Sequence, residues 1–149
     1  MTPLNTPTVS ICVPSYNAER FVAETLRSVF AQTYTDYEVV LVDDASDDAT
    51  LSVVETFDDA RLTVFRNDAR LGAAGNWNAA IAKARGRYVK LLCSDDVLAP
   101  DCVAREVAVL DDPANDTVAM VGGPRDVIDT DGRVLFRARG GGGLDGRVS

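Results

Sequence analysis

The chain has 149 residues, 46% of them hydrophobic, which suffices for one domain with a buried core but not for two ordinary domains. Its formal net charge of -8 argues against nucleic acid and anionic membranes as partners, because both are bound through an excess of Lys and Arg. Histidine is absent, which excludes Ser-His-Asp and Cys-His catalysis and the common zinc sites that use imidazole.

Nothing in the sequence points to a membrane or to a disulfide framework. No apolar run reaches the ~20 residues that cross a bilayer, so we expect no transmembrane segment, and the N-terminus lacks the pattern of a signal peptide. We therefore expect a cytoplasmic protein. The cysteines, Cys12, Cys93 and Cys102, are odd in number and lack metal-ligand spacing, which argues against disulfides and zinc.

Strand and helix patterns alternate from Val9 onward, which is typical of βαβ units. The first predicted strand runs from Val9 to Val13 and is closed by Pro14, and Asn17 is placed to cap the following helix. That helix is predicted from an apolar stripe that would cover one sheet face. The stripe consists of Phe21, Val22, Leu26, Val29 and Phe30.

The second predicted strand runs from about Tyr37 to Val42, and a polar loop from 43 to 48 leads to a helix. Ser46, Asp47 or Asp48 is placed to cap that helix, and this role accounts for part of the acidic loop. Asp43 and Asp44 lie too early in the chain to cap it.

A short third strand, Leu62 to Phe65, precedes a predicted helix from about Asn76 to Ala84. Trp77 lies on the apolar face of that helix, so we expect it to pack into the core, with ligand contact as the lesser possibility. Gly86 is expected to end the helix.

The fourth predicted strand is Tyr88 to Leu92, and a helix follows from Pro100. We predict a fifth strand from Val118 to Val121 and a hairpin around Asp131-Gly132. The domain is expected to span residues 1–139, followed by a flexible Gly-rich tail at 140–149.

Two acidic pairs follow predicted buried strands, Asp43-Asp44 directly and Asp95-Asp96 after two intervening residues. Because ligands of open α/β sheets bind outside the carboxyl ends of the strands, both pairs point to one site. Oxygen ligands favour Mg²⁺ or Mn²⁺, and such an ion favours a phosphate ligand. Arg61, Arg66 and Arg70 form a local group of cations that can offset the acidity.

The end of the first strand carries no glycine-rich phosphate motif, so a metal has to hold any phosphates. The strand ends offer the aromatic ring of Tyr16, hydrogen-bonding groups on Asn17 and Asp44, and carboxylates on Asp95 and Asp96. Asn17 is placed for helix capping and for nucleotide contact, and these two roles are compatible.

Three segments together resemble the nucleotide-sugar-binding part of family 2 glycosyltransferases with the GT-A fold. They are Val9 to Asn17, Tyr37 to Ser46, and Gly86 to Asp96, the last containing a DXD-like motif. The resemblance covers about Val9 to Asp101. It implies a three-layer α/β/α fold with a mostly parallel central sheet, truncated on its C-terminal side.

The resemblance also implies roles for individual residues. Pro14 and Tyr16 would frame the base, and Asp44 would accept the N3–H of uracil or thymine. Asp95 would lie near the ribose or the metal, and Asp96 would coordinate the Mn²⁺ or Mg²⁺ that bridges the diphosphate.

The sequence departs from the family pattern at two positions and in its length. Cys93 stands where many relatives have a third acid, and Trp77 stands where many have an Arg, for which Arg70 is a substitute. Family enzymes continue further, into the part that supplies the acceptor pocket. No general base is assigned here, and Asp126, Asp129 and Asp131 are expected to be turn residues.

The resulting hypothesis is a hexosyltransferase-like enzyme that transfers a sugar from a UDP- or dTDP-linked donor to a hydroxyl of a saccharide or lipid-linked acceptor. This chain would cover donor binding only. The alternative is a non-catalytic GT-A-like module for subunit association, and a receiver-type phosphoacceptor domain ranks a distant third. An exposed sheet edge would favour a homo-oligomer.

Overall fold

Four parallel strands form the sheet at the centre of the computed structural model, which describes residues 6–138. The spatial order of the strands is β3-β2-β1-β4. Their bounds are β1 Val9–Ser15, β2 Tyr37–Asp43, β3 Leu62–Arg66 and β4 Tyr88–Leu91. The described residues form two compact units that divide between Asp101 and Cys102, and the sheet belongs to the first unit.

The two inner strands are buried on both faces, which is why their sequences are continuous apolar runs and do not alternate. Cys12 and Val40 point to one face, where they form a cluster with Val42 and Ala80. Ile11 and Leu41, of opposite parity, point to the other face and are completely buried there.

Three helices cover the two faces of this sheet, namely α1 Val22–Phe30, α2 Thr50–Val54 and α3 Gly72–Ile81. Right-handed crossovers place α1 and α2 on one face, because β1, β2 and β3 follow each other in one direction. The connection from β3 to β4 returns in the opposite direction, so α3 lies on the other face, where Ala80 joins the cluster with Cys12. The predicted three-layer α/β/α arrangement is confirmed.

Strand β1 continues through Pro14 to Ser15, so the prediction that Pro14 closes it is wrong. A proline has no N–H, so it cannot donate a hydrogen bond to a neighbouring strand. Here β4 pairs only with Val9 to Cys12, so Pro14 lies beyond the last residue of β1 that β4 pairs with.

Helix α3 begins at Gly72, four residues before the predicted start, and ends at Ile81, so Gly86 does not end it. Gly86 serves a different purpose, because a Cβ atom there would lie 2.6 Å from the backbone nitrogen of Ser10. The chain therefore needs a glycine where it passes close to β1.

The second unit contains α4 Cys102–Leu110, a 3-10 turn Pro113–Asn115 and an antiparallel hairpin of β5 Arg125–Ile128 and β6 Val134–Ala138. The hairpin prediction is confirmed. The predicted strand at 118–121 is wrong: these residues pair with no strand in the described part of the chain, and Met120 is 87% exposed. A β-prone run forms a strand only where a partner can bond its backbone.

Within residues 6–138 no helix is long and apolar enough to cross a membrane. The predicted tail at 140–149 lies outside the described residues.

Candidate functional site

A cavity of about 340 Å³ lies at the carboxyl ends of β1, β2 and β4. The strand order reverses between β1 and β4, and such a reversal opens a crevice at the sheet edge. Five residues singled out from the sequence line this cavity, namely Pro14, Tyr16, Asn17, Asp44 and Asp95. Their roles stay predictions, but the sheet topology brings them together.

Asp44 is 2% exposed and is held by three hydrogen bonds from the segment that begins α3. Its Oδ1 accepts from the Leu71 backbone N–H and from the Asn67 side-chain amide, each at 2.8 Å. Its Oδ2 accepts from the Gly72 backbone N–H at 2.9 Å. Since an ionised carboxylate accepts about four hydrogen bonds, Oδ2 keeps capacity for one more.

The same contacts determine the charge of Asp44. Burial raises the pKa of its carboxyl, but the hydrogen bonds from Leu71, Asn67 and Gly72 and the charge of Arg70 outweigh burial. The net pKa is lowered, so Asp44 is ionised at neutral pH and is a strong acceptor.

Asp43 does not share this role, although it is adjacent in sequence. Its carboxylate is fully buried and accepts from the backbone N–H and the hydroxyl of Ser46. It therefore shapes the loop after β2, and it is not among the residues that line the cavity.

Asn17 joins the loops after β1 and β2 and does not cap α1, so the capping prediction is wrong. Its side-chain amide donates to Asp47 Oδ1 at 2.8 Å, and its Oδ1 accepts from the Asp47 backbone N–H at 3.1 Å. Its backbone φ of 46° lies in the left-handed region, which Asn tolerates better than most residues. The N-cap residue of α2 is Ala49 and not one of the predicted Ser46, Asp47 and Asp48, although Asp48 accepts from the Thr50 backbone N–H at 2.9 Å.

Asn76 attaches α3 to the sheet directly below the cavity. Its side-chain amide donates to the carbonyl oxygens of Ser15 at 3.3 Å and Val42 at 3.0 Å. Its own Oδ1 accepts from the Asn67 amide at 3.0 Å. Because Asn76 is buried, these bonds fix the distance between the cavity wall and the ends of β1 and β2.

The predicted group of three arginines does not form. Arg70 lies over the Tyr16 ring, with its Cζ 4.0 Å from the ring centroid. Arg66 donates to the Ser46 carbonyl oxygen at 2.9 Å. Arg61 is bound to Asp59 and Tyr37, at the start of β2, which is the opposite end of the sheet. Of these three arginines, Arg70 alone lines the cavity.

Trp77 lines the cavity and is 41% exposed, so the prediction that it packs into the core is wrong. The buried residues of α3 are Asn76 and Ala80. The helix therefore turns its Asn toward the sheet and its Trp toward the cavity.

The loop after β4 brings Cys93, Asp95 and Asp96 together. Each offers one ligand atom, and the three atoms lie within 4.8 Å of one another. Cys93 and Asp95 line the cavity, while Asp96 lies in the same cluster and is exposed. Burial and the charges of Asp96 and Asp95 raise the pKa of the Cys93 thiol.

This donor set fits a divalent cation through its two carboxylates, which are hard oxygen ligands. The prediction that all ligand atoms are oxygens does not fully hold, because the third candidate ligand in this group is the sulfur of Cys93. The spacing between the cysteines could not predict that Cys93 belongs to this group, since its two neighbours there are aspartates and not cysteines.

Ser15 and Asn76 also line the cavity, although neither was predicted from the sequence to belong to the site. Ser15 is buried, and its hydroxyl has no hydrogen-bond partner within residues 6–138. Asn76 carried a usable signal, because it lies four residues before Ala80 on the same helix face. A polar residue on a buried face needs hydrogen-bond partners, which predicts contact with strand ends.

The family model described as Glycosyl transferase family 2 matches residues 10–142. The chain belongs to glycosyl transferase family 2. Among its relatives is the Escherichia coli UDP-Glc:alpha-D-GlcNAc-diphosphoundecaprenol beta-1,3-glucosyltransferase WfgD, which is 37% identical over 102 residues, 68% of this chain and 40% of that protein. The putative teichuronic acid biosynthesis glycosyltransferase TuaG of Bacillus subtilis is 36% identical over 68% of this chain and 41% of its own length.

Solved structures of GT-A fold transferases resemble this chain. S. aureus TarS 1-349 in complex with UDP matches with a TM-score of 0.66 and 33% identity over 70% of this chain and 32% of that chain. The mannosyltransferase PcManGT from Pyrobaculum calidifontis, in complex with GDP-Man and Mn2+, matches with a TM-score of 0.66 and 36% identity over 74% and 34%. This family 2 chain thus spans about 40% of the length of the first two relatives.

Proposed function

We propose that this chain is the donor-binding part of a glycosyltransferase, and that its cavity binds a UDP- or dTDP-linked sugar with a divalent metal ion. The observation that carries the proposal is the convergence of Tyr16, Asp44 and Asp95 on one cavity from three different strand ends. Family membership supports it, since two structural neighbours were solved with UDP and with GDP-Man.

The base would bind at the Asp44 end of the cavity. The remaining acceptor capacity of Asp44 Oδ2 suits the N3–H of uracil or thymine, and the ionised state makes that bond strong. Pro14 and the Tyr16 ring would frame the base, and Asn17 would hold the adjoining loop in place.

The diphosphate would bind at the Asp95 end, with Mn²⁺ or Mg²⁺ held by Asp96 and Asp95. A bound cation would neutralise the charge that develops on the departing nucleoside diphosphate. Asp95 would also lie near the ribose. The chain has no glycine-rich phosphate loop, so the cation held by these carboxylates would be what binds the phosphates.

The acceptor, a saccharide or lipid-linked hydroxyl, has no assigned binding residues in this chain. Asp129 Oδ1 accepts from the backbone N–H groups of Asp131 and Arg133, each at 2.9 Å, so Asp129 is a turn residue. Asp126 lies in strand β5, 3.8 Å from the Arg137 guanidinium, so the prediction that it is a turn residue is wrong. We therefore propose no general base here and expect the chain alone to transfer sugar poorly or not at all.

Calorimetry of the 149-residue chain with UDP, in the presence and absence of Mn²⁺, tests the proposal. We expect saturable binding that strengthens with Mn²⁺ and is lost in Asp96→Ala. GDP and ADP serve as competitors, and GDP binding as tightly as UDP would contradict the choice of a pyrimidine base. Asp68→Ala is the matched control, because this exposed aspartate is not among the cavity residues.

The alternative is a non-catalytic GT-A-like module for subunit association. The β5–β6 hairpin favours it, because Leu135 and Phe136 are both exposed there. If no nucleotide binds the intact chain while light scattering detects a stable oligomer of it, the association module is supported. Self-association through an open sheet edge and a cytoplasmic location stay predictions.

A further inference from the structure

Trp77 is placed on the cavity wall by the geometry of α3. Ala73, one turn earlier on the same helix, also lines the cavity. Helical side chains lean toward the N-terminus of their helix, and α3 starts at the sheet edge where the cavity lies. The indole is thus directed toward the carboxyl ends of the strands.

The Trp77 side chain has no partner within the described chain. None of the hydrogen bonds, ring pairs or cation–ring contacts formed by residues 6–138 involves its indole. The two other aromatic rings of the cavity are different, because Arg70 lies over Tyr16 at 4.0 Å and Arg20 lies over Phe21 at 5.1 Å. Tyr16 and Phe21 therefore each have a cation over one side of the ring, whereas the Trp77 ring is available on its exposed surface.

We propose that Trp77 stacks on the nucleobase of the donor and is a base-binding residue of this site, an inference that depends on the proposed function. Tyr16 would then hold Arg70 beside Asp44, and Trp77 would supply the open aromatic face. An indole carries no charge, so it cannot replace a guanidinium toward phosphate, but it offers a large flat surface to a base.

The position of Trp77 favours the base over the diphosphate. Gly72, the first residue of α3, donates to Asp44, the acid assigned to the base. Asn76, which directly precedes Trp77, is bonded to Asn67, and Asn67 is bonded to the same Asp44 carboxylate. The helix that carries the indole is thus connected to the base end of the cavity through two hydrogen-bonded paths.

Trp77 is the single tryptophan of the chain, so its fluorescence reports directly on its surroundings. Titrations with uridine, UDP and pyrophosphate, each with Mn²⁺ present, separate the parts of the donor. We expect saturable changes in emission with uridine and with UDP and none with pyrophosphate. A change of equal size with pyrophosphate would place the indole at the phosphates and overturn the inference.

Variants measured by calorimetry complete the test. Trp77→Ala is expected to bind UDP about tenfold more weakly, and Trp77→Phe to remain within about threefold of wild type, because a phenyl ring retains a stacking face. Ile81→Ala is the matched control, since Ile81 lies four residues later on α3, is 43% exposed and is not among the cavity residues. We expect its affinity to be unchanged.

The failures of the two proposals are distinguishable. If wild type binds UDP by calorimetry but its emission does not change and Trp77→Ala binds equally well, the inference is wrong and the donor site stands. If wild type binds no nucleotide at all, the donor site is wrong and the inference falls with it. Circular dichroism of Trp77→Ala checks that lost affinity does not reflect unfolding, and the wild-type titration needs no variant.

Discussion

The two ends of the cavity are built differently. At the Asp44 end, a buried carboxylate is fixed by three hydrogen bonds from backbone and side-chain donors. At the Asp95 end, two exposed carboxylates lie beside a thiol within 4.8 Å. The first end is fully formed when the chain folds. The second places two carboxylates where they could hold a cation.

Because of this difference, ligand binding and folding depend on the same interactions at the Asp44 end but not at the Asp95 end. Changes at the Asp44 end are expected to affect stability and ligand binding together, because the bonds that shape the site also attach α3 to the sheet. Changes at the Asp95 end are expected to affect binding alone, since exposed acids contribute little to stability.

The largest effect is expected for Asp44→Asn. The amide that replaces one carboxylate oxygen would face an N–H donor and leave it unsatisfied in a buried position. We expect the free energy of unfolding to fall by about 3 kcal/mol in urea denaturation. Asp58→Asn, the same change at an exposed aspartate, should stay within about 0.5 kcal/mol of wild type. Equal stability of both variants would remove the contrast between the two ends.

A somewhat smaller effect is expected for Asn76→Ala, which removes two donated bonds and one accepted bond. We expect a loss of about 2 kcal/mol, because the carbonyl oxygens of Ser15 and Val42 lose a buried donor. Asn78→Ala on the same helix is exposed and is the matched control. A similar loss of unfolding free energy in both variants would mean that any change in this helix destabilises the chain, and that the hydrogen bonds of Asn76 are not responsible.

Acid should weaken the Asp44 end gradually. The pKa of Asp44 is lowered from its ordinary value of 3.8, so its contribution to stability is complete well above that pH. The contribution is lost as the pH falls from about 3.8 through the lower pKa of the folded state. Urea denaturation between pH 7 and pH 3 should show a smaller decline in Asp44→Asn than in wild type. Parallel declines would contradict the assignment.

The smallest effect on stability is expected for Asp95→Asn, together with a clear effect on metal binding. The unfolding free energy should change by less than about 0.5 kcal/mol. Mn²⁺ affinity, measured by calorimetry, should fall more than about tenfold, because one of two adjacent negative charges is removed. Asp68→Asn should change neither quantity. Destabilisation by Asp95→Asn comparable to that of Asp44→Asn would show that the loop after β4 is also structural.

The sheet and the position of the site were predictable because the strands are apolar on both faces and each polar loop directly follows a strand. Val39 to Val42 specify a buried strand whatever surrounds them, and Asp44 then has to lie at its carboxyl edge. Because β1, β2 and β4 are parallel, the loops that follow them lie at the same edge of the sheet.

The failed predictions depend on partners distant in the sequence. The start of α3 lies at Gly72 because Asp44, 28 residues earlier, accepts the N–H groups of Leu71 and Gly72. Local capping rules consider only neighbouring residues. Trp77 is another case, because its apolar character predicts burial while only the packing of α3 decides which face meets the sheet.

The Asn76 bridge has a practical consequence for identifying the donor. Since this side chain bonds the ends of β1 and β2 to the helix that carries the cavity wall, the cavity and the sheet should unfold as one unit. A ligand present at a hundred times its dissociation constant would then stabilise this unit by about 2.7 kcal/mol. Melting-temperature screens over a panel of nucleotide sugars would therefore rank candidate donors without any knowledge of the acceptor.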